Sequence, residues 1–351
     1  GAAVLRMLEV FLEEQPFREG LRRYLAAHAY SNARTEDLWS ALAEASGQPV
    51  GAIMGTWTKQ TGYPALDVGV ARQHDGVAVT LTQKRFKYDD ILGDDDGDAS
   101  TWQVPVKIST ASDAGAASAL MEGAETTITT AGSADDWVKI NPLQTGFFRV
   151  KYPPEELERL QAPVRDLVLA PADRLGIQND AYALARAGHI PATQFLEIAQ
   201  AYMNETDATV CGDLATNLAA IDVLLWDEPS YSGFQAFARR IFQPIGGRAG
   251  WEPRDGEREM DALLRSTALS QLAGYGDEAT LREGKIRFSR YVDDRTSVAA
   301  DIRGMVFGIA ARTGDRSTYD TIWKLHKASE LPEEKIRLLM ALGRFEQPEL
   351  L

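Results

Sequence analysis

Residues 57–82, WTKQTGYPALDVGVARQHDGVAVTLT, change their apolar period part-way along, and that change decides the fold. Trp57 closes a helical stripe begun by Val50, Ile53 and Met54, and Gly62 and Pro64 are the stop signals for it. From Leu66 the apolar residues alternate instead: Leu66, Val68 and Val70, then Val77, Val79 and Leu81, with Asp75 and Gly76 turning between them. Alternation about such a turn predicts a β-hairpin.

Working backwards, residues 1–64 read as helices with clear punctuation. Thr35 is expected to cap a helix whose first turn carries Glu36 and Asp37, where the helix dipole favours carboxylates, and Leu38, Trp39, Leu42 and Ala45 form its buried face. Gly47 ends that helix and Pro49 fits the first position of the next. Trp39 and Trp57 fall on apolar faces and are read as core.

Working forwards, strand-like stretches recur at Val104, Val106 and Ile108, at Ile128, at Trp137, Val138 and Ile140, and at Phe147, Phe148, Val150 and Tyr152. Several short strands in succession suggest a small β-sandwich. From Pro153 the chain returns to helices, expected near 172–187, 191–202, 209–226, 231–243, 256–274, 277–292, 295–312, 315–329 and 332–343, with Gly188, Pro191, Pro229, Gly246, Gly247, Gly276 and Pro332 in the breaks. Successive helices joined by short turns without a strict repeat read as an irregular α-solenoid of the HEAT or armadillo type. The fold class expected is therefore multidomain α+β.

The composition agrees: 351 residues are more than one core usually serves, and 44% apolar with 25% charged residues suits a globular chain. No run of about 18 consecutive apolar residues occurs, so no membrane span is expected. The net charge of −14 would repel a phosphate backbone, which argues against nucleic acid as a partner. Cys211, the one cysteine, reads as a buried free thiol and fits a reducing compartment.

Catalytic chemistry is sparse. The four histidines, His28, His74, His189 and His326, include no HExxH and no pair that could share a helix face as zinc ligands. No nucleophile and base constellation can be read. The acidic run Asp89, Asp90, Asp94, Asp95, Asp96 and Asp98 fails as an EF-hand, because with Gly97 at the sixth loop position the first falls on Leu92 and the twelfth on Gln103. A solvated hairpin loop is the expectation there, with calcium regulation the alternative.

Beyond these patterns the sequence resembles a known family. The series Arg6, Met7, Leu8, Phe17, Arg18, Gly20, Tyr24, Tyr30, Asn32, Thr35 to Trp39, then Thr56, Trp57, Thr58, Gln60, Gly62, Tyr63 and Pro64 closely resembles the zinc aminopeptidases of the puromycin-sensitive and aminopeptidase N family, the gluzincins. The likeness continues through Gln83, Arg85 and Phe86, then Gly146 to Val150 and Tyr152, then Asp173, Arg174, Leu175 and Asn179 to Ala181, and reaches Gly343, Arg344, Phe345 and Pro348. It covers essentially the whole chain.

The resemblance implies three pieces: residues 1–65 as closing helices of a thermolysin-like catalytic domain, 66–152 as a β-sandwich, and 153–351 as an incomplete helical domain. The chain begins abruptly at Gly1 and ends without a polar tail, and both ends read as cuts in a longer protein. In that family the zinc motif, its glutamate ligand and the GxMEN motif lie upstream of the region matched here, and Gly1 and Ala2 resemble the last letters of the Tyr-x-Lys-Gly-Ala context of the transition-state tyrosine. No catalytic, cofactor-binding or metal-binding residue is therefore assigned, and zinc belongs to the intact parent only. The chain is expected to be a non-catalytic segment, scaffold and lid of a peptide chamber, with peptide substrates and the rest of its own catalytic domain as partners and a cytoplasmic location. Basic residues such as Arg265, Lys285 or Arg303 could meet a peptide carboxylate, though solvated surface charge is the plainer reading of each. The alternative is a stand-alone α-solenoid interaction module.

Overall fold

The computed structural model describes residues 1–73, 76–88, 98–113 and 117–350. Among these the chain is mixed α+β, with fourteen α-helices and two small sheets. It divides into two compact units, residues 1–198 and 199–351.

The first unit opens with α1 (Ala2–Leu12), α2 (Glu14–Ala27), α3 (Thr35–Ser46) and α4 (Val50–Thr58). Leu8, Leu12, Leu42, Val50 and Met54 form one buried cluster, with Trp39 and Trp57 packed half-buried at its edge. Helices α2 and α3 touch closely because position 20 has no side chain. A Cβ on Gly20 would lie 2.7 Å from Leu42 Cδ2 and 2.9 Å from Leu42 Cα, so any larger residue would push the helices apart. The end of α3 is as expected, with Gly47 left-handed at φ 70°. Its start is a correction: Thr35 is already helical, Arg34 stands at the cap, and Asp37 reaches back to accept the Arg34 N–H at 2.7 Å. The Asp37 carboxylate thus makes the return half of a capping box, taking the N–H of the cap residue, while the hydroxyl half that Thr35 was expected to supply is not made.

The hairpin forms as read. Strands β1 (Pro64–Gln73) and β2 (Gly76–Arg85) pair antiparallel, Val68 opposite Leu81 and Val70 opposite Val79. His74 and Asp75 of its turn lie outside the described residues. Further strands are β3 (Val104–Thr110), β4 (Ala117–Met121), β5 (Glu125–Thr130), β6 (Val138–Ile140) and β7 (Arg149–Lys151). One sheet has the order β5-β2-β1-β7, with β7 parallel to β1, and the other the order β4-β3-β6. Strand β4 escaped the sequence reading because Ala117–Met121 is small and weakly alternating. Helices α5 (Pro154–Arg165), α6 (Pro171–Arg186) and α7 (Ala192–Ala199) complete the unit. Helix α5 was also unforeseen, since Pro163 near its end reads as a breaker.

The second unit contains α8 (Ala208–Leu225), α9 (Tyr231–Ala249), α10 (Glu259–Gly274), α11 (Glu278–Asp293), α12 (Arg303–Arg312), α13 (Arg316–Ala328) and α14 (Pro332–Leu342). Helix α12 is its centre: Met305 through Ala311 are all buried, beneath α11, α13 and α14. Here too a glycine sets the approach, as a Cβ on Gly284 of α11 would meet Ile309 Cδ1 at 2.5 Å. Two boundaries are corrected. Helix α9 runs through Pro244, Gly246 and Gly247, because Ile241, Phe242 and Ile245 on both sides of the proline are buried and packing outweighs the local breakers. The expected helix from 295 begins only at Arg303, because Asp294 accepts from Thr296 N and Thr296 Oγ1 and holds a turn there.

Helix α8 is, by length and composition, apolar enough to cross a membrane. Its polar residues Asp213, Thr216, Asn217 and Asp222 are why no unbroken apolar run shows in the sequence. Here Val210, Cys211, Leu214 and Leu218 are buried, and the helix packs against α9 and α10.

Candidate functional site

The two sequence series that carry the family resemblance in the middle of the chain, 146–152 and 173–181, meet in the first unit. Lys139 lies in β6 between Val138 and Ile140 and is 1% exposed. Its Nζ donates to the carbonyls of Ile140 (2.6 Å) and Asn141 (3.1 Å) and stands 3.5 Å from Asp173 Oδ1 on α6. Three donors thus have three partners. The ammonium holds no free valence for nucleophilic or base chemistry, although burial draws the Lys139 pKa down.

About two helical turns further along α6, Asp180 receives the strand β7. Arg149 Nη1 donates to Asp180 Oδ1 at 3.0 Å and to the Asn179 side chain, while Val150 N–H donates to Asp180 Oδ2 at 3.1 Å. Both carboxylate oxygens are occupied. Burial raises the Asp180 pKa, and the Arg149 guanidinium opposes that rise. The hydroxyl of Tyr152 closes the group by accepting the Ile140 N–H at 2.8 Å.

Between β6 and β7 the chain passes through a strained corner. Asn141, Leu143 and Gln144 have φ of 60°, 58° and 52°. Such angles are costly outside glycine and persist only when the surroundings over-determine them. Here they do: Leu143 N–H donates to Asp173 Oδ1 at 2.6 Å, and the Asn141 side chain exchanges two hydrogen bonds with Gly146, at 2.7 and 3.0 Å. Asp173 therefore does more than the helix-capping role its position suggests.

An aromatic row runs alongside. Trp102, Trp57, Phe147, Tyr63 and Phe86 follow one another with ring centroids 6.4, 6.2, 5.1 and 5.5 Å apart. Arg85 lies over Trp102 and Arg149 over Phe86 at 5.7 and 5.9 Å. Trp57 also donates from Nε1 to the Gln103 carbonyl at 2.9 Å. Together the charged group and the row tie α4, β2, β7 and α6 into one body. What this arrangement can do is clamp.

The second unit holds an open cleft of about 470 Å³ whose lining includes Glu205, Arg248, Arg254, Glu257, Asp261 and Arg265. Arg265, 1% exposed, is ion-paired with Glu257 and, at 2.8 Å, with Asp301. Arg303 donates to the carbonyls of Val298 and Arg295, and Lys285 is exposed on α11. Arg265 and Arg303 are thus already engaged by the protein itself.

Among the described residues no three of His, Cys, Asp and Glu are grouped to hold a metal. His28 lies 3.8 Å from Asp37, His189 packs on Phe86, and His326 stacks on Trp323. That side-chain set does not fit a catalytic zinc. His74 and the acids Asp89, Asp90, Asp94, Asp95 and Asp96 lie outside the described residues; Asp98 pairs with Arg85 at 2.6 Å. Sequence reasoning missed Lys139 and Asn141, whose signals were a lysine inside an apolar strand and an Asn-Pro step.

Comparison with known proteins gives the arrangement its setting. A family model described as the ERAP1-like C-terminal domain matches residues 137–351, and one described as the peptidase family M1 domain matches residues 1–57. The chain is 34% identical to aminopeptidase M1-A of Oryza sativa subsp. japonica and 33% identical to aminopeptidase M1 of Arabidopsis thaliana, over 100% of its own length in both cases. It is 31% identical to the puromycin-sensitive aminopeptidase of Caenorhabditis elegans over 99% of its length. It spans 40%, 41% and 37% of those three relatives.

Proposed function

The chain belongs to the M1 aminopeptidase family, and from that premise we propose that it is the family's non-catalytic middle-to-C-terminal portion, acting as scaffold and chamber wall for peptide hydrolysis. The observation that carries this reading is the match itself. The ERAP1-like model covers residues 137–351, whereas the M1 peptidase model covers only 57 residues at the start, and those include no HExxH. Hydrolysis of this kind needs a metal-activated water, a carboxylate base and an oxyanion donor. The described residues offer none of these in one place, so zinc would be held by residues other than these.

In this reading residues 1–65 complete a catalytic domain, 66–152 form a sandwich from the two sheets, and 153–351 belong to an incomplete helical domain. The charged clamp of Lys139, Asp173, Arg149 and Asp180 would hold the helices of 153–186 rigidly on the sheets, so that a peptide chamber keeps its shape. A helical array offers an extended concave surface suited to the distal part of a peptide. The partners inferred are peptides and the remainder of the same enzyme, and the lone buried Cys211 supports a reducing, cytoplasmic setting.

The test is to measure zinc content and turnover of an aminoacyl fluorogenic substrate by the purified 351-residue chain. Metal-free protein without turnover is expected. Stoichiometric zinc with turnover would overturn the proposal.

A further inference from the structure

The carboxyl end of α8 is unlike the rest of the second unit. Val223, Leu224 and Trp226 are 75%, 78% and 57% exposed, side by side in the chain. Single exposed apolar residues are ordinary, but a contiguous group marks an interaction site. Asp222 precedes the group, and Asp227 and Glu228 follow it, both exposed and without an ion pair among the described residues. Asp222, in the last turn of α8, faces the negative end of that helix's dipole, an unfavourable placement for a carboxylate.

The layer beneath is also unfinished. Trp226 rests on Tyr231 with ring centroids 5.4 Å apart, and burial together with the nearby Asp222 carboxylate pushes the Tyr231 pKa up. Asp222 Oδ1 and the hydroxyl of Tyr275, a residue only 3% exposed, are buried without a hydrogen-bond partner. Burial and the adjacent Asp222 charge both push the Tyr275 pKa up. Exposed apolar surface, uncompensated acids and unsatisfied polar atoms coincide at one spot, and local conflicts of this kind are where function is found.

We propose that this tip, Asp222 to Glu228, is a docking site for a basic amphipathic segment of a protein partner. Apolar side chains of the segment would cover Val223, Leu224 and Trp226, and its Lys and Arg side chains would pair with the exposed Asp227 and Glu228. The aromatic and aliphatic anchor ringed by charge is the usual form of a binding hot spot. Charge fixes the sign of the partner. A second copy docking through the same surface would bring its own Asp227 and Glu228 against these, so self-association at the tip is disfavoured.

The experiment follows the fluorescence anisotropy of three labelled helical peptides titrated with the chain: Lys/Leu amphipathic, Glu/Leu amphipathic, and Lys/Ser without an apolar face. The Lys/Leu peptide should bind at least about tenfold tighter than either control. Leu224→Ser with Trp226→Ser should weaken it by about tenfold or more, and Asp227→Asn with Glu228→Gln should weaken it less while flattening its salt dependence. The thermal midpoint of the Asp227→Asn, Glu228→Gln variant should be unchanged or higher, and that of the Leu224→Ser, Trp226→Ser variant should fall only by what the Trp226–Tyr231 contact contributes, with a cooperative transition kept. Equal binding of the Lys/Ser peptide, affinity untouched by the Leu224 and Trp226 changes, or concentration-dependent dimerisation abolished by those changes would each overturn the proposal.

Discussion

Lys139 and Asp180 show how a single residue sets the joint in the first unit. Each is buried, and each is a charge whose cost of leaving water is offset only by its partners. Asp180→Ala would leave Arg149 without its carboxylate, with only the neutral Asn179 side chain, and orphan the Val150 N–H, and removing one partner from a buried pair costs about 3–5 kcal/mol. Equilibrium urea unfolding should show that loss, and a change below about 1 kcal/mol would refute the clamp. Little of this was legible in advance. Arg149, Asp173 and Asp180 stood out through resemblance, whereas Lys139 lies in a strand whose pattern says nothing about which carboxylate it will face.

At the scale of elements, helices were easier to read than their ends. Apolar spacing located α8 through α11, α13 and α14 because each buries one stripe, while α9 passed through Pro244 because tertiary packing overrode the break. Caps are local and can be tested singly. Asp277 accepts from Thr280 N at 2.9 Å at the start of α11, so Asp277→Ala should cost about 1 kcal/mol in thermal or urea unfolding. Burial would raise the Asp277 pKa, but hydrogen bonds from Gln243 and Thr280 outweigh it and hold the pKa below the ordinary 3.8. A lowered carboxyl pKa means the folded state binds fewer protons, so this contribution is complete above pH 3.8 and fades as the pH falls further. The difference between wild type and Asp277→Ala should accordingly shrink on going from pH 5 to pH 2.5. A gap independent of pH would show that the cap does not act through its charge.

For the whole molecule, charge is the property that needs no coordinates. With a net charge of −14 and a pI near 4.9, the chain should scatter light most strongly near pH 4.9 and should pass unretained through heparin at pH 7. Retention on heparin at moderate salt would reveal a basic surface that the totals conceal.

The amino-acid order by itself determined the switch from helix to sheet at Pro64, the return to helices after Pro153 and, through its resemblance series, the family. Period and punctuation are local properties and resemblance is a property of order, so neither needs the third dimension. Only the tertiary structure decided that Lys139 meets Asp173, that Arg149 meets Asp180, that three residues after β6 adopt left-handed angles, and that Leu224 and Trp226 stay outside. Those outcomes depend on which distant groups arrive at the same place. Burial turns such meetings into large energies, and no sequence period encodes them.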